Sequence, residues 1–184
     1  DIVLIHSNKN SNLIGMTFTE IGRSRGVDPY DAAFDLLIEE GEEMGSLLWS
    51  SKAFREDDII MCLQQPECAV ISDTTALAPY GALKNNIGSI SGYGWAARFF
   101  QDYVNDKKIL TLTEAIRRIT SLPAERLGLI KRGKLKKSFY ADICVFDPQK
   151  IKNNCDLKNL KTYPSGIEYV IVNGVFAVKK GNRT

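Results

Sequence analysis

The chain has 184 residues, 44% of them hydrophobic and 25% charged, with a formal net charge of +2. That length can bury a core in one domain or two, and the composition is that of an ordinary globular chain. The charge is too small to argue for nucleic acid, no apolar run approaches the roughly 20 residues that span a bilayer, and no leader is visible, so a cytoplasmic protein is expected.

Asp1 to Ile5 reads as a short strand. The chain begins inside it without Met, so a fragment is expected. A helix follows, starting near Thr17 or Thr19 and ending at Gly26. Asp28 then caps a second helix with Pro29 at its first position. Its apolar face is read as Ala33, Phe34, Leu37 and Ile38. Gly45 to Trp49 is a strand candidate. Glu56 to Gln64 is an amphipathic helix with Ile59, Ile60 and Leu63 inward. Pro66 to Ser72 is a third strand candidate, closed by Asp73. Strands alternating with helices predict β/α units and a parallel sheet. From Ala76 to Gly94, prolines and glycines break every periodicity, so a long functional loop is expected. Trp95 to Val104 is a helix with Ala96, Phe99, Phe100 and Tyr103 on its apolar side.

From Leu110 onward the signals sharpen. Thr111 or Thr113 caps a helix that buries Ala115, Ile116 and Ile119 and leaves Arg117 and Arg118 wet. Pro123 ends it, a short helix runs from Ala124 to Leu127, and Gly128 provides a left-handed exit. The turn Lys131-Arg132-Gly133 leads to a mostly buried strand, Asp142 to Asp147, stopped by Pro148. Ile167 to Asn173 and Val175 to Lys179 form a hairpin around Asn173-Gly174. Lys179 to Thr184 reads as a frayed basic tail.

This order resembles the amidohydrolase superfamily on Thr113, Ala115, Thr120, Pro123, Ala124, Leu127, Gly128, Gly133, Ala141, Asp142 and Asp147. The run Tyr163 to Gly174 is similar to the N-acyl-D-amino-acid deacylases (D-aminoacylases) within it. The resemblance implies an α/β fold: C-terminal β/α units of a metal-dependent-hydrolase (TIM-type) barrel over residues 1–130, and strands of a small β-sandwich over 131–184. It implies a parent hydrolase that cleaves the linear amide of an N-acyl-D-amino acid with zinc, and needs an amino-terminal part that this chain lacks. The same devices serve cyclic-amide hydrolases of the dihydroorotase and dihydropyrimidinase type. A barrel relative acting only as a binding or scaffold module is the other alternative. The piece alone is expected to be inactive, and a homo-oligomer is compatible with the resemblance.

The chemistry comes down to Asp73. At the carboxyl end of a barrel strand it would lie where catalytic groups collect. In the resembling family an aspartate after the eighth strand binds the metal and takes a proton from the attacking water, so Asp73 is expected as both metal ligand and general base. The family writes this place Gly-Ser-Asp-Gly, whereas here it is Ile71-Ser72-Asp73-Thr74. The loop from Ala76 to Gly94 is the expected substrate-binding region. Zinc takes three or four His, Cys or Asp ligands, but the chain carries one histidine. That residue, His6, reads as an ordinary strand-end group, and no His-Pro dipeptide follows Asp73. Cys62, Cys68, Cys144 and Cys155 form no Cys-x-x-Cys pair and read as free thiols. The basic run Lys131, Arg132, Lys134, Lys136 and Lys137 reads as a solvated turn. Gly88 to Gly94 lacks a phosphate-binding spacing and reads as a flexible substrate cover.

Overall fold

The structure, a computed structural model, describes residues 2–51, 54–74, 77–84, 90–156 and 159–184. It comprises two compact units, Asp1–Arg55 and Glu56–Thr184.

In the first unit, β1 (Ile2–His6) pairs antiparallel with β2 (Leu48–Ser51), with Ile2 opposite Ser51 and His6 opposite Leu48. The expected parallel arrangement therefore gives way: the chain leaves β1 at His6 and returns opposite the same end. Between the strands run α1 (Phe18–Arg25) and α2 (Pro29–Glu40). Thr17 and Glu20 form a reciprocal capping box at the start of α1, and Gly26 closes it at φ +72°. Asp28 caps α2 by accepting from Tyr30 N at 2.8 Å. The core joins Leu4, Phe18, Ile21, Ala32 and Leu36.

The buried face of α2 is Ala32, Leu36 and Glu40, while Phe34 and Ile38 lie exposed. The expected face was one position out of phase because a buried glutamate defines it. Glu40 is fully buried and accepts from the Ser7 hydroxyl and, at 3.1 Å, from Lys9 N. Burial alone would raise its pKa, but the Ser7 hydroxyl and the Lys9 and Asn8 amides hold it below the ordinary value.

The second unit begins with α3 (Glu56–Gln64), whose Leu63 is buried. The expected strand Pro66 to Ser72 begins in a turn, with Cys68 N bonded to Gln65 O, and joins no ladder among the described residues. Its backbone partners lie on a helix instead, as described below. Helix α4 (Ile90–Phe100) occupies part of the expected loop and runs into a π-helical turn, Gln101–Asp106. Gly94 is helical because the helix packs on Asn153: an added Cβ would sit 1.8 Å from its Oδ1. Residues 75, 76 and 85–89 of the expected loop lie outside the described residues.

Helix α5 (Leu112–Ile119) is capped by Thr111, which accepts from Glu114 N at 3.2 Å. It ends at Thr120, and α6 (Ser121–Arg126) contains Pro123 in its first turn. Pro123 thus starts the second helix more than it ends the first, since no amide is needed there. Gly128 N bonds Glu125 O and Leu129 N bonds Ala124 O, a Schellman closure with Gly128 at φ +65°.

The sheet orders β3 (Ile143–Phe146), β4 (Ile167–Val172), β5 (Val175–Lys179) and β6 (Asn182–Arg183), all antiparallel. Cys144 and Val145 of β3 are exposed, against the expected burial. Asn173 and Gly174 both take positive φ in the expected hairpin. The expected frayed tail is a further hairpin, with Lys180 and Gly181 also at positive φ. Asp142 joins these parts: it accepts from Asn173 N at 2.8 Å and pairs with Arg132, which also donates to Asn173 Oδ1 at 2.8 Å. These contacts lower the Asp142 pKa, the Asn173 amide most strongly.

The core of this unit joins Leu63, Ala97, Phe99, Phe100, Leu110, Ala115 and Ile151, with Phe146 packed against it. Gly166 sits at φ +84°, and an added Cβ would lie 2.5 Å from Ile151 N. Gly166→Ala is therefore expected to cost at least about 2 kcal/mol through left-handed strain and backbone clash. Thermal unfolding checks this, and an unchanged midpoint would count against the packing described.

Candidate functional site

Asp73 follows the extended run Cys68 to Ser72 and is exposed, at φ +41°. A non-glycine residue in this left-handed region costs on the order of 1 kcal/mol or more and persists where surrounding structure enforces it. Aspartate tolerates the conformation better than most residues.

Helix α5 holds the segment that leads to Asp73. Val70 N donates to Arg118 O at 3.0 Å. Arg118 Nη1 donates to Cys68 O at 3.4 Å, and Arg117 Nη2 donates to Pro66 O. Glu114 gathers both arginines: it accepts from Arg117 Nε and Nη2 at 2.8 Å each and from Arg118 Nε at 2.9 Å. Cys68 and Val70 pack on the unit's core. Arg118 is 3% exposed, not wet as its place in the sequence predicts. Its guanidinium tolerates burial because a carboxylate and a carbonyl receive its protons. Sequence reading missed this trio as a device, although the spacing Glu114, Arg117, Arg118 is the i, i+3, i+4 pattern that places all three on one helical surface.

The bond from Arg117, then that from Arg118, hold the Glu114 pKa down at about 2 against an opposing effect of desolvation.

The other candidates fall elsewhere. His6 Nδ1 lies 3.1 Å from Ser46 O, within the first unit. No group of three His, Cys, Asp or Glu arranged to hold a metal occurs among the described residues. Zinc needs three or four donors, so the described residues do not by themselves fit that metal. Within the expected substrate loop, Tyr80 stacks under Arg183, 3.6 Å from ring centre to guanidinium carbon. Tyr93, on α4, makes an edge contact with Tyr163 at 5.1 Å. The basic run is largely tied down: Arg132 pairs with Asp142 and lies over Tyr140, Lys134 pairs with Glu125, and Lys136 lies over Phe139. All four cysteines are unpaired. Among the described residues no helix is long and apolar enough to cross a membrane.

Comparison with known proteins agrees in direction. A family model described as the amidohydrolase family matches residues 64–178, more than half of the chain. An N-acyl-D-glutamate deacylase of Alcaligenes xylosoxydans xylosoxydans is 28% identical over 176 residues, which is 95% of this chain and 33% of that protein. A D-aminoacylase of the same organism is 33% identical over 82 residues, 45% of this chain and 17% of that protein. The crystal structure of N-acyl-D-glutamate deacylase from Bordetella bronchiseptica, complexed with zinc and a phosphonate inhibitor, superposes with a TM-score of 0.76 at 26% identity. It covers 100% of this chain and 36% of that one. A D-aminoacylase crystal structure superposes at a TM-score of 0.73 with 22% identity, covering 35% of its chain, and shares the fold. The chain thus spans about a third of the length of the deacylases that it matches end to end.

The clamp makes a pH prediction. With its pKa lowered from 4.5 to about 2, Glu114 contributes stability that is complete above pH 4.5 and lost as the pH falls towards 2. Glu114→Gln should therefore be less stable than the parent at neutral pH and converge with it near pH 2. Denaturant unfolding across that range checks the convergence.

Proposed function

This chain belongs to the amidohydrolase family, and from that premise we propose that the whole protein of which it forms part removes the acyl group from N-acyl-D-amino acids. The likeness of nearly the whole chain to an N-acyl-D-glutamate deacylase carries this reading. In that setting residues 1–130 belong to the carboxyl-terminal part of a TIM-type barrel, and residues 131–184 to a small β-sandwich. Four free thiols suit a reducing, cytoplasmic setting.

Asp73 is the residue assigned to the chemistry. Its carboxylate accepts a proton from the water that attacks the amide carbonyl carbon. As the carbon–nitrogen bond breaks, the same proton passes to the departing amine. The immediate products are a carboxylic acid and the free amine of the amino acid; the acid's remaining proton then passes to that amine, leaving carboxylate and ammonium, so atoms and charge balance. A general base of this kind supplies about 10²- to 10⁴-fold in rate. A single carboxylate falls short of a zinc site. Asp73 serves as a ligand only with donors from the remainder of the protein, and this chain alone is inactive. Substrate binding is assigned to the segment from Ala76 to Gly94.

Two departures favour a second reading, a barrel relative that binds without catalysis. Ile71 and Thr74 replace the glycines flanking the family's Ser-Asp pair, and the chain holds a single histidine.

Asp73→Asn in the whole protein, assayed with N-acetyl-D-amino acids, is expected to lower kcat by about 10²- to 10⁴-fold. Unchanged turnover would remove Asp73 from the mechanism. A parent protein that turns over only cyclic ureides would replace the linear-amide reading, and one that binds N-acyl-D-amino acids without turnover would establish the scaffold reading.

A further inference from the structure

We propose that Arg118 is a positioning residue for Asp73: through the Cys68 carbonyl and the Val70 amide it fixes the arm on which the carboxylate stands. The inference rests on the assignment of Asp73 above, and goes beyond it by placing control of the site on the outer helix α5.

Three contacts hold the arm at alternate residues. Arg117 reaches Pro66 O, Arg118 Nη1 reaches Cys68 O, and Arg118 O receives the Val70 amide. Pro66 lies in the turn that follows α3, and Cys68 and Val70 are the alternate residues after it, so α5 supplies a hydrogen-bond partner at each of the three. Asp73 stands three positions beyond the last contact, at Val70. A chain rises at most about 3.5 Å per residue, so the carboxylate's backbone stays within roughly 10 Å of a fixed point. Ser72 and Asp73 follow this anchored stretch, and Asp73 is exposed. The anchor itself is rigid, because Glu114 receives both arginines and Arg118 is 3% exposed. A lysine cannot reproduce it. Its single ammonium reaches Glu114 or Cys68 O, whereas the guanidinium fork reaches both.

The test uses the whole protein with an N-acetyl-D-amino acid as substrate. Arg118→Lys is expected to keep the thermal midpoint of the parent, to leave KM within about threefold, and to lower kcat by about 10- to 100-fold, the scale of a misplaced catalytic group. Arg118→Ala with added guanidinium chloride should recover part of kcat. If Arg118→Ala fails to fold, the Arg118→Lys result stands alone. An Arg118→Lys enzyme with the kcat of the parent overturns the inference, as does a loss of activity that tracks a lowered midpoint. Asp73→Asn separates the two levels. If it is inactive while Arg118→Lys is unaffected, only the positioning role fails. If it is fully active, the assignment of Asp73 fails first.

Discussion

A guanidinium removed from water must find acceptors for its protons, or its burial is ruinous. Arg118 finds two, the Glu114 carboxylate and the Cys68 carbonyl, and its own carbonyl receives the Val70 amide. This exchange determines where the chain runs between α3 and Asp73. An extended segment with no strand beside it would otherwise leave amides and carbonyls unpaired against the core. Helix α5 satisfies them, and Cys68 and Val70 are thereby free to pack among Leu63, Ala97 and Ala115. Capping of α5 by Thr111 supports the helix that carries the clamp.

Much of this fold was legible in the sequence where one residue dictates one local geometry. Thr17 (offered beside Thr19), Asp28 with Pro29, Gly128, and Asn173 with Gly174 each impose a cap or turn through hydrogen bonding or positive φ, and each does so in the structure. The failures share a different cause. Phe34 and Ile38 were assigned inward by apolarity, yet the buried stripe of α2 is set by Glu40, whose bonds to Ser7 and Lys9 no periodicity reveals. Arg118 was assigned outward by charge for the same reason. Ser91 to Gly94 read as loop because glycines weaken helices, but Gly94 is there to admit Asn153. Tertiary partners decided all three, and those partners are distant in sequence. The candidate site was legible only as a position: Asp73 stood out at the end of an apolar run, whereas the arginines that hold its arm read as surface charge.

The antiparallel pairing of β1 with β2 and the absence of a ladder through Pro66 to Ser72 among the described residues remove the local argument for a parallel sheet. Membership of the amidohydrolase family does not depend on that argument. It rests on residues 64–178, all of them in the second unit, where the Asp142–Arg132–Asn173 junction ties the helix pair to the sheet. The first unit is built around its own core of Leu4, Ile21 and Leu36. A chain covering about a third of its deacylase relatives supplies one candidate carboxylate and the scaffold that holds it. The shortage of donors for zinc among its described residues is consistent with a site completed from elsewhere in the protein.

Hydrogen exchange at the Val70 amide probes the central claim most directly. If α5 holds the arm, this amide, bonded to the main-chain carbonyl of Arg118, exchanges as slowly as Ala115 N, which is bonded to Thr111 O within the same helix. Exchange of Val70 at the rate of an exposed loop, with Ala115 still protected, would contradict the account.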